Sequence, residues 1–306
     1  MSVLMQIVKR PQLAYYFGQK AIRHPGLRSW CARKMTQWVA GRTQTSGNSS
    51  QAADKAALQA LRDDGIAFLP ELNLDAATLA EVHDYFKGKP VLDLYSGKQL
   101  AGIENLAANY NKVAYSTVDT LSCQPLLALA NHPTLLATVA QYLGAKPSMA
   151  SLQTWWTFGE HSVQGQKHYD DVYHRDVDDL RFVKLFIYLT DTTVSTGAHS
   201  FIKGSHRSNQ LIRRGPITDT QAQESFAGSD FVTVTGDAGT VFLEDTWGVH
   251  RPLPATTGRR LIFSVLYGLT PWVPQSPARP LLPMPETLDA YVNRSHFFNS
   301  PGSCST

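Results

Sequence analysis

The chain has 306 residues, 43% of them hydrophobic and 17% charged, and this composition excludes a disordered or fibrous protein. One large domain with an appendage is the simplest organisation. The three cysteines, at positions 31, 123 and 304, are too far apart to indicate a zinc ribbon or a disulfide framework, so we expect a reducing cytoplasm. The net charge of +3 is unevenly spread, because every charged residue from 1 to 53 is basic.

The N-terminal segment interleaves these cations with aromatic and apolar side chains. At helical spacing one face carries Leu27, Trp30, Cys31 and Trp38, a pattern typical of a helix that lies on an anionic membrane through residues 1–42. The alternative is that the aromatics dock on the body of the protein, and the sequence leaves both open. No apolar run reaches 18 residues, so we expect no membrane-spanning helix. Scattered charges also argue against a signal peptide.

Helical patterns follow a polar stretch at 43–52, which predicts a linker between an extension, 1–53, and a main domain, 54–306. The periodicity of DKAALQALRDDG predicts a helix that ends at Gly65, and IAFLPEL predicts a short strand. Asp75 is placed to cap the next helix. We predict irregular structure for 93–122, and then two helical pieces, of which the second runs from about Pro133 to Gly144.

From Leu152 onward the pattern changes from helix to strand. Short β-type runs alternate with turn residues, and they are LQTWWTF, FVKLFIYL, HSFIKG, FVTVTG, GTVFLE and RRLIFSVLYG. Helices followed by a dense set of strands predict an α+β fold around a β-sandwich or barrel. The proline-rich TPWVPQSPARPLLPMP predicts a C-terminal wrap over the surface.

Two metal-type ligands stand just before FVKLFIYL. If a strand begins there, His174 and Asp176 project from the same face, since side chains two apart in a strand do so. His250, after GTVFLE, is the third candidate, because two histidines and one carboxylate form the facial triad that leaves open positions on Fe(II). The alternatives are a solvated loop pair and a core histidine. A second HxD pair, His168 and Asp170, competes with the first.

Two arginines, Arg259 and Arg260, begin the strand RRLIFSVLYG about ten residues past His250. An arginine inside a barrel needs an anion, and a guanidinium matches a carboxylate bidentately, so the pair indicates a dicarboxylate co-substrate. Lys184 offers a second cation to that co-substrate, although an outward position suits a lysine better. We expect His199 and His206 to have structural roles. We expect Asp178 and Asp179 to be exposed to solvent.

Taken together, these segments resemble the phytanoyl-CoA dioxygenase family of iron- and 2-oxoglutarate-dependent oxygenases. The resemblance covers about residues 55–270 and rests on YHRDVDD, FVKLFIYLTD, TGAHSFIKGSHR and GVHRPLPATTGRRLIFSVLYG. It implies a double-stranded β-helix, a jelly-roll or cupin-like barrel, with N-terminal helices packed on it. It further implies that Fe(II) is held by His174, Asp176 and His250.

The resemblance also assigns the far carboxylate of 2-oxoglutarate to Arg260, because the family's arginine lies seven residues before an aromatic, here Tyr267. A register shift of one residue would transfer that role to Arg259. The implied reaction is the hydroxylation of an aliphatic C–H bond with O2, with release of succinate and CO2. Asp176 favours hydroxylation, since related halogenases carry a small residue at that position.

The substrate stays open between a small molecule and a lipid or lipid-linked sugar. A lipid would suit a cytoplasmic protein bound peripherally at the inner face of a membrane. A barrel that binds a metal or ligand without turnover is the competing hypothesis. No nucleic-acid partner is expected, since the cations are confined to one tail. The sequence leaves the oligomeric state undetermined.

Overall fold

A computed structural model of the protein describes residues 3–43, 52–106, 110–159, 172–212 and 215–299. Three helices come first: α1 (Val3–Lys9), α2 (Leu13–Gln19) and α3 (Pro25–Thr43). The helices of the main body are α4 (Lys55–Asp63), α5 (Ala76–Phe86), α6 (Thr117–Ser122), α7 (Gln124–Ala130), α8 (Pro133–Leu143), α9 (Asp219–Ser225) and α10 (Ala290–Asn293). The linker expected at 43–52 falls almost entirely outside the described residues, as does Cys304.

An antiparallel sheet of eight strands dominates the body, in the order β1-β9-β6-β11-β5-β4-β2-β3. A smaller sheet has the order β10-β7-β8, and a parallel pair, β12-β13, lies near the C-terminus. The strands are β1 (Ile66–Phe68), β2 (Val91–Asp93), β3 (Gln99–Leu100), β4 (Lys112–Tyr115), β5 (Ser148–Phe158), β6 (Phe182–Tyr188), β7 (His199–Ile202), β8 (Phe231–Val234), β9 (Val241–Glu244), β10 (His250–Pro252), β11 (Arg259–Gly268), β12 (Leu282–Pro283) and β13 (Phe297–Phe298).

The predicted helices and strands of the body are confirmed, and their ends follow from local chemistry. The Asp75 side chain accepts a hydrogen bond from the Thr78 backbone N–H at 2.8 Å and so caps α5. Gly144 ends α8 with φ of 76°, a conformation that favours glycine. The prediction of irregular structure at 93–122 is wrong, because β3, β4 and α6 lie there.

The large sheet separates two apolar layers. On β11, Leu261, Phe263, Val265 and Tyr267 pack into the main core with the helices, while Ile262 faces the interior between the sheets. There it meets buried aromatics from both sheets, namely Phe186, Tyr188, Phe201 and Phe242. This alternation of faces along one strand gives the barrel a filled outer layer and an inner space that side chains from both sheets line.

The N-terminal helices pack against this body. Leu13 and Tyr16 of α2 are buried with Phe182 and Leu266, and Arg10 donates a hydrogen bond to the Ser276 carbonyl at 2.9 Å. The predicted packing of N-terminal helices on the barrel is therefore confirmed. On α3, in contrast, three large apolar side chains stay about half exposed, and they are Leu27, Trp30 and Trp38.

Candidate metal and co-substrate site

His174 and His250 are brought together by backbone pairing. The His174 N–H donates to the His250 carbonyl at 2.9 Å, and the His250 N–H donates to the His174 carbonyl at 3.1 Å. His250 begins β10, whereas His174 forms only an isolated bridge, and the predicted strand FVKLFIYL begins at Phe182. The condition considered from the sequence, a strand that begins at His174, is not met, and the two histidines meet because two segments far apart in sequence pair at this point.

Asp176 completes the cluster. Its Oδ2 lies 3.5 Å from His250 Nε2, and its Oδ1 lies 3.8 Å from His174 Nε2. One ligand atom from each of the three residues lies within 4.8 Å of the others. The Asp176 N–H donates to the Thr246 carbonyl at 2.8 Å, so the carboxylate is also held by the segment that leads to His250.

The hydrogen bonds of the two imidazoles fix which nitrogen faces the cluster. His174 Nδ1 lies 2.8 Å from the Val172 carbonyl, and His250 Nδ1 lies 3.0 Å from the Gly248 carbonyl. A carbonyl only accepts, so each Nδ1 carries a hydrogen, and Nε2 is the nitrogen that faces Asp176. When each Nε2 is deprotonated, two imidazoles and a carboxylate oriented in this way fit a divalent metal such as Fe(II).

Lys184, on β6, lies inside the site and not at the surface. Its Nζ is 2.7 Å from Asp176 Oδ2 and 2.9 Å from Asp178 Oδ2. Burial by itself would raise the pKa of Asp176, but Lys184 and the two histidines hold it well below its ordinary value. The outward position considered for Lys184 and the solvent position expected for Asp178 are therefore both wrong.

The alternation of side chains along β11 separates the two candidate arginines. Arg260 is 1% exposed and lines the interior, where one Nη donates to the Gly197 carbonyl. It makes no ion pair with any described residue. Arg259 is exposed and lies over the Trp156 ring at 5.1 Å. The strand register thus places Arg260 in the interior with the metal-type cluster and Arg259 outside it.

A cavity of about 260 Å³ joins these groups. Its lining includes all three metal-type ligands, Lys184 and Arg260, together with Gln153 and Trp155 of β5. It has space for a small dicarboxylate between the cluster and the guanidinium.

Two further polar residues lie on the inner wall and were not expected to take part in the site. Glu244, at the end of β9, is fully buried, and its Oε1 has no hydrogen-bond partner among the described residues. Its Oε2 lies 3.4 Å from Nδ1 of His199, which lines the same cavity. One indication of this residue was present in the sequence, a glutamate at the end of the apolar strand VFLE. One such glutamate is not enough evidence to predict a site.

Asp179 is a structural anchor and not a solvent residue. It is 1% exposed, and its carboxylate accepts hydrogen bonds from Tyr15 Oη at 2.6 Å and from the Thr270 N–H at 2.7 Å. It thus ties α2 to the end of β11. The competing pair, His168 and Asp170, lies outside the described residues, and that alternative stays a prediction.

Comparison with known proteins agrees with this geometry. The family model for phytanoyl-CoA dioxygenase (PhyH) matches residues 62–261, about two thirds of the chain. No curated protein sequence matches the chain significantly.

Several solved structures are similar to this chain, and one of them, with a TM-score of 0.51, shows the fold. EctD from S. alaskensis, crystallised with 2-oxoglutarate and 5-hydroxyectoine, is 17% identical with a TM-score of 0.51, over 73% of this chain and 79% of that one. HygX from Streptomyces hygroscopicus, with nickel, 2-oxoglutarate and hygromycin B bound, is 15% identical with a TM-score of 0.49, over 70% and 87%. The epimerase SnoN from nogalamycin biosynthesis is 20% identical with a TM-score of 0.48, over 69% and 81%.

The double-stranded β-helix, the cluster of two histidines and an aspartate, and the extent of the family match lead to one assignment. The chain belongs to the phytanoyl-CoA dioxygenase family and is an iron- and 2-oxoglutarate-dependent oxygenase that uses dioxygen.

Proposed function

We propose that the protein hydroxylates an aliphatic C–H bond of a small-molecule, lipid or lipid-linked sugar substrate. The observation that carries this proposal is the arrangement of His174, Asp176 and His250 in one cavity with the buried guanidinium of Arg260. Iron held by that cluster would supply the activation of dioxygen, with 2-oxoglutarate converted to succinate and CO2.

The residues of the chain have separable tasks in this proposal. Each histidine keeps its hydrogen on Nδ1 through a backbone carbonyl and so offers Nε2 to the metal. Arg260 binds the far carboxylate of 2-oxoglutarate, and Lys184 keeps Asp176 ionised. Tyr188 and Phe186 cover the inner wall with apolar surface, which excludes water from the space between the cluster and Arg260.

A neighbouring cavity of about 530 Å³ supports an amphipathic substrate. It shares His174 and Asp176 with the metal-type cluster, and residues 3–23 of the N-terminal segment supply part of its wall. That wall combines apolar side chains with cations, and they are Val3, Tyr16, Phe17, Ile22, Lys20 and Arg23. A substrate with a hydrocarbon part and an anionic part fits such a lining.

The test of the oxygenase proposal is anaerobic titration of Fe(II) and 2-oxoglutarate into the full chain. We expect a weak visible charge-transfer band that the variant His174→Ala loses and the control His24→Ala keeps, since His24 is exposed and lies outside the cluster. A folded wild-type protein without the band, or a His174→Ala variant that retains it, would reject the assignment. Succinate release with candidate substrates then separates turnover from ligand binding alone.

Peripheral membrane contact from the cytoplasm is the second part of the proposal. The helices of the described ranges all lack the combination of length and hydropathy needed to cross a bilayer. However, Leu4 and Val8 of α1 are 72% and 73% exposed, and Trp30 and Trp38 of α3 are 50% and 46% exposed. Lysines and arginines of the same helices accompany them, as at a surface that meets anionic lipid.

This contact can be tested with point variants, which are sharper than truncation because α2 forms part of the core. We expect the double variant Trp30→Ser, Trp38→Ser to bind vesicles of anionic phospholipid more weakly than wild type in sedimentation. Val194→Ser is the matched control, since Val194 is 59% exposed on the body of the protein. Equal binding by both variants, or none by wild type, would contradict membrane contact.

A further inference from the structure

A third cavity, separate from the metal-type cluster, lies between α3 and the barrel. Its volume is about 560 Å³, and arginines from four segments of the chain line it. They are Arg28 and Arg33 of α3, Arg62 of α4, Arg181 before β6 and Arg207 after β7. Because these residues are distant in sequence, the folding of α3 onto the body creates the cluster, and it is not a solvated run of charge.

The positive charge of this cavity is not neutralised within the described residues. None of the five arginines forms an ion pair there. Arg181 donates to the Leu143 carbonyl at 3.1 Å and Arg207 to the Asp63 carbonyl at 2.6 Å. Arg28 donates to the Gln19 side-chain oxygen at 3.1 Å and to the Asp179 backbone carbonyl. Neutral oxygens orient a guanidinium without cancelling its charge, so positive charge predominates in the cavity.

Asp245 is the acidic residue in the lining, and its two oxygens already have partners. Oδ2 accepts from the Tyr142 hydroxyl at 2.5 Å, and Oδ1 accepts from the Trp247 N–H at 3.0 Å. Five positive charges therefore face one negative charge that is fixed in place.

One end of the cavity is buried and its rim is exposed. Arg28 is only 6% exposed and lies over the Trp247 ring at 4.2 Å. Burying a cation in this way is costly, and the nearby carboxylates of Asp179 and Asp245 offset part of that cost for Arg28. Arg33, Arg62, Arg181 and Arg207 are exposed at the rim and remain accessible to a ligand that enters from solvent.

We propose that this cavity binds the phosphate group of a phosphorylated ligand. Guanidinium groups match phosphate oxygens in bidentate fashion, and several of them balance a doubly charged phosphate better than a single carboxylate. The volume exceeds that of a phosphate group alone, so the ligand extends further.

The direction of that extension identifies the ligand as the substrate, an inference that rests on the proposed function. Trp247 and Ile212 line both the arginine cavity and the 530 Å³ cavity beside His174. These two side chains lie between the cavities, so we infer that a phosphorylated molecule anchored among the arginines extends along them and places a carbon atom beside the metal-type cluster. The substrate class is then a phosphate-bearing amphipath.

Binding is tested with inorganic pyrophosphate and the metal-free full chain, by calorimetry at low salt. We expect saturable binding that the double variant Arg181→Gln, Arg207→Gln weakens at least about tenfold, because each exposed guanidinium contributes charge-assisted hydrogen bonds. The control, Arg42→Gln with Arg279→Gln, removes the same charge from exposed positions outside the cavity and changes affinity less than about twofold. Unsaturable binding, or equal losses in the two double variants, would overturn the proposal.

Competition then identifies the source of the phosphate. Displacement of pyrophosphate by phosphatidic acid in phosphatidylcholine vesicles supports a lipid headgroup, and displacement by glucose 1-phosphate supports a soluble phosphomonoester. Displacement by neither overturns the site as a receptor for phosphorylated ligands.

The anion site and the oxygenase reaction can fail independently. Pyrophosphate binding is measured without iron, and His174→Ala should retain it. If pyrophosphate binds but the Fe(II) and 2-oxoglutarate band is absent, the proposed function fails and the anion site stands. If the band forms but pyrophosphate does not bind, only the anion site is rejected.

Discussion

Replacing Arg260 with methionine should have opposite effects on the empty and the loaded protein. Arg260 is fully buried, forms no ion pair with a described residue, and has an Nε without a hydrogen-bond partner among them. Burial lowers its pKa, which shows that the charged form is poorly solvated. An apolar side chain of similar length removes this cost, so we expect Arg260→Met to raise the free energy of unfolding of the ligand-free protein by about 1–4 kcal/mol.

Binding of 2-oxoglutarate should change in the other direction. Two charge-assisted hydrogen bonds to a carboxylate are worth roughly 3–6 kcal/mol together, so the Kd should rise at least about 100-fold. At a concentration of 100 times the wild-type Kd, the co-substrate stabilises wild type by about 2.7 kcal/mol and should leave the variant almost unchanged. For a protein of this size that corresponds to a Tm difference of about 5 °C.

The assay is thermal unfolding with Ni(II) present, with and without 2-oxoglutarate. Arg259→Met is the matched control, because Arg259 is exposed over Trp156 and its loss should alter either Tm by less than about 1 °C. If 2-oxoglutarate still raises the Tm of Arg260→Met but no longer raises that of Arg259→Met, then Arg259 and not Arg260 binds the co-substrate. If neither variant loses it, the carboxylate is bound elsewhere.

Two further predictions concern the charges around the cluster. Lys184 lowers the pKa of Asp176, so the variant Lys184→Met should raise that pKa. Because Asp176 is then protonated at a higher pH, the variant should release bound iron at a higher pH than wild type during acid titration. An unchanged release pH would show that Lys184 does not control Asp176. Burial raises the pKa of Asp179 to about 6, so the native state keeps a proton that the unfolded chain loses near pH 4. Stability to urea should therefore fall by up to about 3 kcal/mol between pH 4 and 6, and Asp179→Asn should lack this slope.

Much of the fold could be predicted from the local sequence pattern. The run RRLIFSVLYG alternates strictly between two buried layers, and this alternation predicts both β11 and the inward position of Arg260 once one apolar residue is assigned to the main core. The helices α5 and α8 carry their own end signals in Asp75 and Gly144. Such elements are predictable because the determinants lie within a few residues of one another.

The geometry of the candidate site depended on contacts that local pattern does not contain. His174 lies in irregular chain and is positioned by a bridge to His250, 76 residues later, so its position beside Asp176 and His250 does not follow from strand periodicity. Lys184 shares the inner face of β6 with Phe186 and Tyr188, and the contacts that compensate its charge there, with Asp176 and Asp178, come from a separate segment. The prediction of irregular structure at 93–122 was wrong because the structure there too depends on distant contacts. Strand β4 is stabilised by pairing with β5 and not by its own composition.

The inner face of the barrel shows why the polar residues there point to ligands. Lys184 and Glu244 stand opposite each other in the register of β6 and β9, and Arg260 lies on the same interior at the start of β11. Positions on such a face are otherwise filled by Phe186, Tyr188 and similar residues, and each buried charge costs several kcal/mol unless it is compensated. Lys184 is compensated by Asp176, but Arg260 and the unpartnered Glu244 Oε1 are not compensated within the described residues. The buried charge of Arg260 is therefore a destabilising term that a carboxylate of a bound dicarboxylate would remove, and this couples the stability of the fold to binding of the co-substrate.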